Sequence, residues 1–278
     1  MSVLRRRSSV EFLIMKAFSK YLAIMRTQII NSAAYPLDLA TRSLMIVMFM
    51  FIFAQLWKAT YSAVGQSSIA GLSLNDTMWY MMIAETIVLS KPRLTNAIAE
   101  QVKDGSIAYL LNKPYNFLLY HFSVALGDGV IRMSFNALAG GATVWLLVGP
   151  PPNLLAIPFV LVAILFAWLI DCTLTATIGL AAFVTEDVAA FDWIYSKFIL
   201  ILGGVLIPLD FFPDWLRGIV QALPFAYATY HPARFFVQPD LARFASLILG
   251  QALWLSALAL LLSLVYRRGV TRLTINGG

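Results

Sequence analysis

The sequence predicts an all-α integral membrane protein with six transmembrane helices, an N-terminal interfacial amphipathic helix and an external re-entrant segment before the last helix. Composition is the first reason: of 278 residues, 60% are hydrophobic and 12% charged, with a mean hydropathy of +0.79, far from the balance of a water-soluble domain. The second is six apolar stretches that approach the roughly 20 residues of a helical crossing. The third is the gathering of Lys and Arg in alternate links between them, as the positive-inside rule requires.

Residues 10–30 are expected to lie on the membrane surface. At about 100° per residue, Leu13, Ile14, Ala17, Phe18, Tyr21, Leu22, Ile24 and Met25 share one face. Lys16, Ser19, Lys20, Arg26 and Thr27 share the other, which suits an interfacial helix better than the start of a crossing. Arg5 to Arg7 precede an apolar patch, but the cations that follow interrupt it and no small-residue cleavage site appears, so a cleaved signal is not expected.

The crossings are placed at 37–58, 74–91, 120–148, 154–184, 191–209 and 243–266. Gly65 to Asn75 reads as a flexible polar link, and Pro150 to Pro152 separate the third and fourth spans. Arg5, Arg6, Arg7, Lys16, Lys20 and Arg26 precede the first span; Lys91, Arg93, Lys103 and Lys113 follow the second; Arg267, Arg268 and Arg272 follow the last. With an even number of spans all three groups share one side, so both termini are expected in the cytoplasm. Arg217 and Arg234 are external exceptions, balanced by Asp210, Asp214 and Asp240. One membrane domain, 1–278, accounts for the chain.

The link from Lys91 to Pro114 carries an apolar stripe of Ala97, Ile98, Val102, Ile107, Leu110 and Leu111 among charges. Pro92 suits a first helical turn, so one or two short helices with a turn at Gly105 are predicted. The stripe either docks in a partner's groove or belongs to a solvated connector. In Gly203 to Phe225 the apolar run breaks at Pro208 and Pro213 and resumes as a short amphipathic segment before Pro224. Irregular backbone at membrane depth survives only where protein or a water-filled cavity covers it, so this segment is expected either to gate the exit or to cap the bundle.

Ionisable residues within the spans are costly and need an account. Asp38 with Arg42 and Asp128 with Arg132 have i,i+4 spacing and are expected to pair locally. Glu186, Asp187 and Asp192 fall in a short cytoplasmic turn. Asp171 lies near the middle of the fourth span beside Cys172, where a bare charge is expensive. It must be protonated, paired or facing a polar cavity, with Glu85 and Lys197 as candidates for the same cavity, whether for a pathway or for packing.

A net charge of +6 does not imply nucleic-acid binding, which needs a basic face on a soluble fold. Cys172 is the single cysteine, so no disulfide forms within the chain. His121 and His231 stand far apart and are expected to be structural, with no metal site. No cluster of acids, metal ligands or nucleophile with base suggests an enzyme. A secondary transporter would more often show two related halves, each with a broken helix; only one broken region stands out here.

The pattern Gly203-Gly204, Pro208, Phe211-Phe212-Pro213, Trp215-Leu216 and Leu223-Pro224-Phe225 resembles the segment before the last helix in permeases of the ATP-binding-cassette type-2 exporter family. Asp104-Gly105, Leu110-Leu111 and Lys113-Pro114 resemble that family's cytoplasmic region, and the end Asn276-Gly277-Gly278 resembles a subgroup of small six-span members. The resemblance implies half of a translocation pathway in a prokaryotic cytoplasmic membrane, paired with a second permease, identical or related, among membrane lipid. It implies ATPase coupling through Glu100, Gln101, Lys103, Asp104, Gly105, Leu110, Lys113 and Pro114, and a connecting helix at 10–30. No G-x-x-x-x-G-K-(S/T) phosphate loop occurs. ATP and magnesium are therefore expected on a separate cytosolic ATPase, with no cofactor in this chain. A non-transporting structural subunit is the alternative.

Overall fold

The computed structural model describes residues 2–91, 94–185 and 187–276, with side chains described from Phe18 to Thr271. Pro92, Arg93, Glu186, Gly277 and Gly278 lie outside the described residues, as do the side chains of Arg5 to Arg7, Lys16 and Arg272.

Among the described residues the chain is all-α apart from one two-stranded hairpin. Helix α1 (Ser2–Ala33) leads to α2 (Pro36–Val64), which opens on Pro36 and closes on Gly65 in the left-handed region, φ 67°. The expected flexible link then folds into strands β1 (Ser68–Ile69) and β2 (Leu72–Ser73). Helix α3 (Leu74–Leu89) starts on a reciprocal cap: Ser73 Oγ accepts from the Asp76 amide, and the Asp76 carboxylate accepts from the Ser73 amide. Two short helices follow, α4 (Leu94–Lys103) and α5 (Ser106–Leu111), and between them Gly105 sits at φ 75°. That is the left-handed conformation that glycine adopts without steric cost.

Helices α6 (Phe117–Val148) and α7 (Ile157–Leu180) follow, and α8 (Ala189–Leu202) ends at the Gly203-Gly204 break. Helices α9 (Asp214–Gln221), α10 (Pro224–Ala228) and α11 (Tyr230–Val237) lead to the long α12 (Leu241–Asn276).

Among the described residues, four segments are long and apolar enough to cross a membrane: Pro36–Val64, Phe117–Val148, Leu154–Phe183 and Leu241–Thr271. The other two expected spans are shorter than predicted. Segment 74–91 forms a helix of 16 residues, about 24 Å at 1.5 Å per residue. Segment 191–209 is helical only to Leu202, because Gly204 at φ 71° turns the chain out of helical geometry. Helix α3 is buried nearly all round, from Thr77 to Met82 and from Ala84 to Ile87. A helix apolar on every side belongs in the centre of a bundle, and around it pack α2, α6 and α11.

Close helix approach depends on small residues. A Cβ on Gly140 of α6 would lie 2.8 Å from Ile46 Cδ1 of α2, and one on Gly127 would lie 2.6 Å from the Met25 carbonyl of α1. Helix α1 thus packs along the start of α6, and its middle is tied by Lys20 Nζ to the Pro114 carbonyl, 2.9 Å, and by the Asn116 amide donating to Tyr21 Oη, 2.9 Å.

Candidate functional site

Among the described residues Asp171 of α7 is the most buried ionic side chain, 3% exposed. It is paired. The ammonium of Lys91, just past α3, forms an ion pair with Oδ1, and Tyr195 of α8 donates its hydroxyl to the same oxygen. Lys91 Nζ also lies 5.1 Å from the centre of the Tyr195 ring. Beside these groups is a polar cavity of about 230 Å3, bordered also by Thr175, Asp192 and Ser196. A buried pair is tolerated when its remaining valences are satisfied, and Tyr195 with the cavity provides that here.

Glu85 and Lys197 do not join this cavity. Glu85 is buried in α3 with no ion pair or hydrogen bond among the described residues. Lys197 is exposed and sits over Trp193, 5.3 Å from its centre. Lys197 lies two positions past Tyr195, and that helical step turns it away from the side of α8 that carries Tyr195. Sequence reasoning assigned Lys91 to the cytoplasmic charge group and so missed it as Asp171's partner; its partner lies 80 positions away, with no local spacing to link them.

The link 94–114 packs its apolar stripe inward. Ile98 and Ile107 are fully buried with Leu94, Phe117, Cys172, Leu180 and Leu262, so the stripe is consumed by the bundle and is not free to enter a partner's groove. Thr95 donates to the Thr175 carbonyl, 3.3 Å, fixing α4 to α7. Of the residues expected to couple, Glu100, Lys103, Asp104, Gly105 and Pro114 are exposed, while Leu110 and Lys113 are half-buried. Gln101 instead turns to His121, 2.9 Å away. Asp104 accepts from the Ser106 amide at 2.8 Å, and the Ser106 side chain first, then this amide, hold its carboxyl below the usual carboxylate range. Lys113 stacks on Tyr109, 3.9 Å from the ring centre.

At the other end of α8 the chain needs two consecutive glycines. The Gly203 carbonyl accepts from Thr229 Oγ1 at 2.6 Å and the Gly204 carbonyl from Tyr80 Oη at 2.7 Å, both donors fully buried. A Cβ on Gly203 would collide with the Thr229 hydroxyl, and one on Gly204 would lie 2.7 Å from the Tyr80 oxygen. Buried irregular backbone is thereby satisfied. Pro208 and Phe212 flank a short turn, Pro213 precedes α9, Pro224 opens α10, and Trp215 is 72% exposed. Gln251 of α12 donates to the Ala163 and Tyr227 carbonyls, 2.9 and 3.0 Å, and clamps α7, α10 and α12 together. Two of the cations in this region are paired with acids: Arg234 donates to Asp210 at 3.0 Å, and Arg217 pairs with Asp214. His231 bonds the Gln221 carbonyl at 2.8 Å.

A sequence model of the family described as ABC-2 family transporter protein matches residues 43–277, a stretch that contains α3 to α12 whole. This chain belongs to the ABC-2 transporter family. Membership makes it a multi-pass membrane permease component of an ABC transporter, of a kind that normally works with ATPase partners. Among curated proteins, none matches the chain. For an ABC-2 permease the arrangement separates into a polar tip at 100–109, a buried ion pair joining three helical elements, and a glycine-dependent fold between α8 and α12.

Proposed function

We propose that this chain forms half of the translocation pathway of an ATP-driven exporter in a prokaryotic cytoplasmic membrane. A separate cytosolic ATPase, holding ATP and magnesium, drives it, and a second permease, identical or related, completes the pathway. The observation that carries this proposal is the tip at 100–109: Glu100, Lys103, Asp104, Gly105 and Tyr109 are exposed, on two short helices anchored by buried Ile98 and Ile107. A plain connector needs no such anchoring; a rigid knob that must pass on a partner's motion does.

In this proposal the motion of the ATPase reaches α7 through Ile98 and Thr95, and α1 through Lys20 and Tyr21. Helix α1 is the connecting helix in the interface, with exposed Phe18 and Leu22 at the headgroup boundary. Helices α3 and α8 complete six crossings with the backbone beyond them, and 203–229 is the external re-entrant segment. Its buried Gly203 and Gly204 carbonyls, each with a donor, suit backbone held at membrane depth. Both termini then lie in the cytoplasm.

Purification from native membranes in mild detergent tests the proposal. Recovery of a nucleotide-binding ATPase, lost when the tip is altered by Asp104→Arg with Lys103→Glu, is the expected result; purification without any ATPase contradicts it.

A further inference from the structure

Between α2, the end of α3 and α6 lies a second polar cavity, of about 360 Å3, bordered by Arg42, Lys91 and Arg132 together with Ser43 and Asn136. Three basic side chains from three elements face one space, and no carboxylate among the described residues borders it. Their acidic partners lie elsewhere: Asp38 on Arg42 at 2.8 Å, Asp128 on Arg132 at 2.8 Å, and Asp171 on Lys91. The neutral groups on the wall are already engaged. Ser43 donates to Asn136 Oδ1 at 3.0 Å, and the Asn136 amide donates to Ser90 at 3.1 Å. Arg132 Nε is different, being buried with no hydrogen-bond partner, and a buried donor left open is costly. The rest of the wall is apolar and includes Met45 and Leu89.

We propose that this cavity binds the phosphate group of an anionic amphiphile. Guanidinium forks match phosphate oxygens in bidentate fashion, and basic pockets between membrane helices on the cytoplasmic side hold anionic headgroups. The apolar wall beside the cations suits the attached chain. Lys91 borders both this cavity and the one beside Asp171, so a bound phosphate competes with Asp171 for one ammonium. The depth assigned to the site rests on the orientation proposed above; its anion chemistry does not, and no ATPase is needed to test it.

The test is native mass spectrometry of the full chain, purified in detergent and exposed to equal amounts of phosphatidylglycerol and phosphatidylcholine. Wild-type protein retains phosphatidylglycerol preferentially. Arg42→Gln and Arg132→Gln each lower that preference about fivefold, from roughly one unit charge's contribution at a headgroup site. Arg132→Lys, which keeps the charge and loses the fork, restores only part of it even if Arg132→Gln folds poorly. The external control Arg217→Gln with Arg243→Gln leaves it unchanged. Added inorganic phosphate separates the sources: displacement of lipid assigns the site to phosphate as such, and retention assigns it to the headgroup with its chain. Equal retention of the two lipids by wild type, or an equal loss in the external control, overturns the proposal.

Discussion

The ammonium of Lys91 and the carboxylate of Asp171 form an ion pair inside the helix bundle, with side chains 16% and 3% exposed. It joins the end of α3 to α7, and Tyr195 adds α8. Removing one partner strands the other in a medium that cannot solvate it, whereas removing both does not. Lys91→Met is therefore expected to cost about 3–5 kcal/mol, and Lys91→Met with Asp171→Leu to recover most of that loss. Thermal aggregation of detergent-purified protein, followed by size-exclusion chromatography, gives the ranking.

Asp171→Asn keeps an acceptor for Tyr195 and removes the charge. It also strands the Lys91 ammonium, so a loss of stability like that of Lys91→Met is expected. If the pair only holds the helices together, the fraction that assembles transports at the wild-type rate; if the charge serves the pathway, transport per assembled protein falls, and paired assembly and flux measurements on one preparation separate the two.

At the α8 break, Gly204→Ala must adopt φ near 71° and push a methyl toward Tyr80. The expected loss is about 1–3 kcal/mol from backbone strain and overpacking. Thr229→Val and Tyr80→Phe each leave one buried glycine carbonyl without its donor, at about 1–3 kcal/mol apiece. Melting temperatures of the three variants check this, and a loss no greater than that of an exposed control such as Ser256→Ala would contradict it.

The buried and exposed sides of the tip formed by α4 and α5 should behave as opposites. Ile98→Ala removes a fully buried side chain and is expected to lower stability by about 2–5 kcal/mol. Glu100→Arg and Lys103→Glu alter exposed charges and are expected to leave the melting temperature within about a degree or two, while weakening ATPase recovery.

Much of this was legible in the sequence because it is local. Pro36, Gly65 and Gly105 punctuate helices where their backbone preferences say they should, and the i,i+4 pairs Asp38–Arg42 and Asp128–Arg132 form as spaced. What was not legible is long-range. Hydropathy alone cannot distinguish α3, a 16-residue interior helix, from a lipid-facing crossing. Helical spacing identified the stripe containing Ile98 and Ile107, but not that α7 and α6 would cover it. Lys91 looked like an ordinary flanking cation because nothing in a linear sequence records that Asp171 lies opposite.

The central claim, a permease driven by a separate ATPase through the 100–109 tip, is tested most directly by site-specific photocross-linking in native membranes. A photoreactive residue at Tyr109 is predicted to capture a nucleotide-binding ATPase, with a yield that changes when ATP is added, while one at Trp215 captures none. Absence of any ATPase adduct from Tyr109, or an equal yield from both positions, would contradict it.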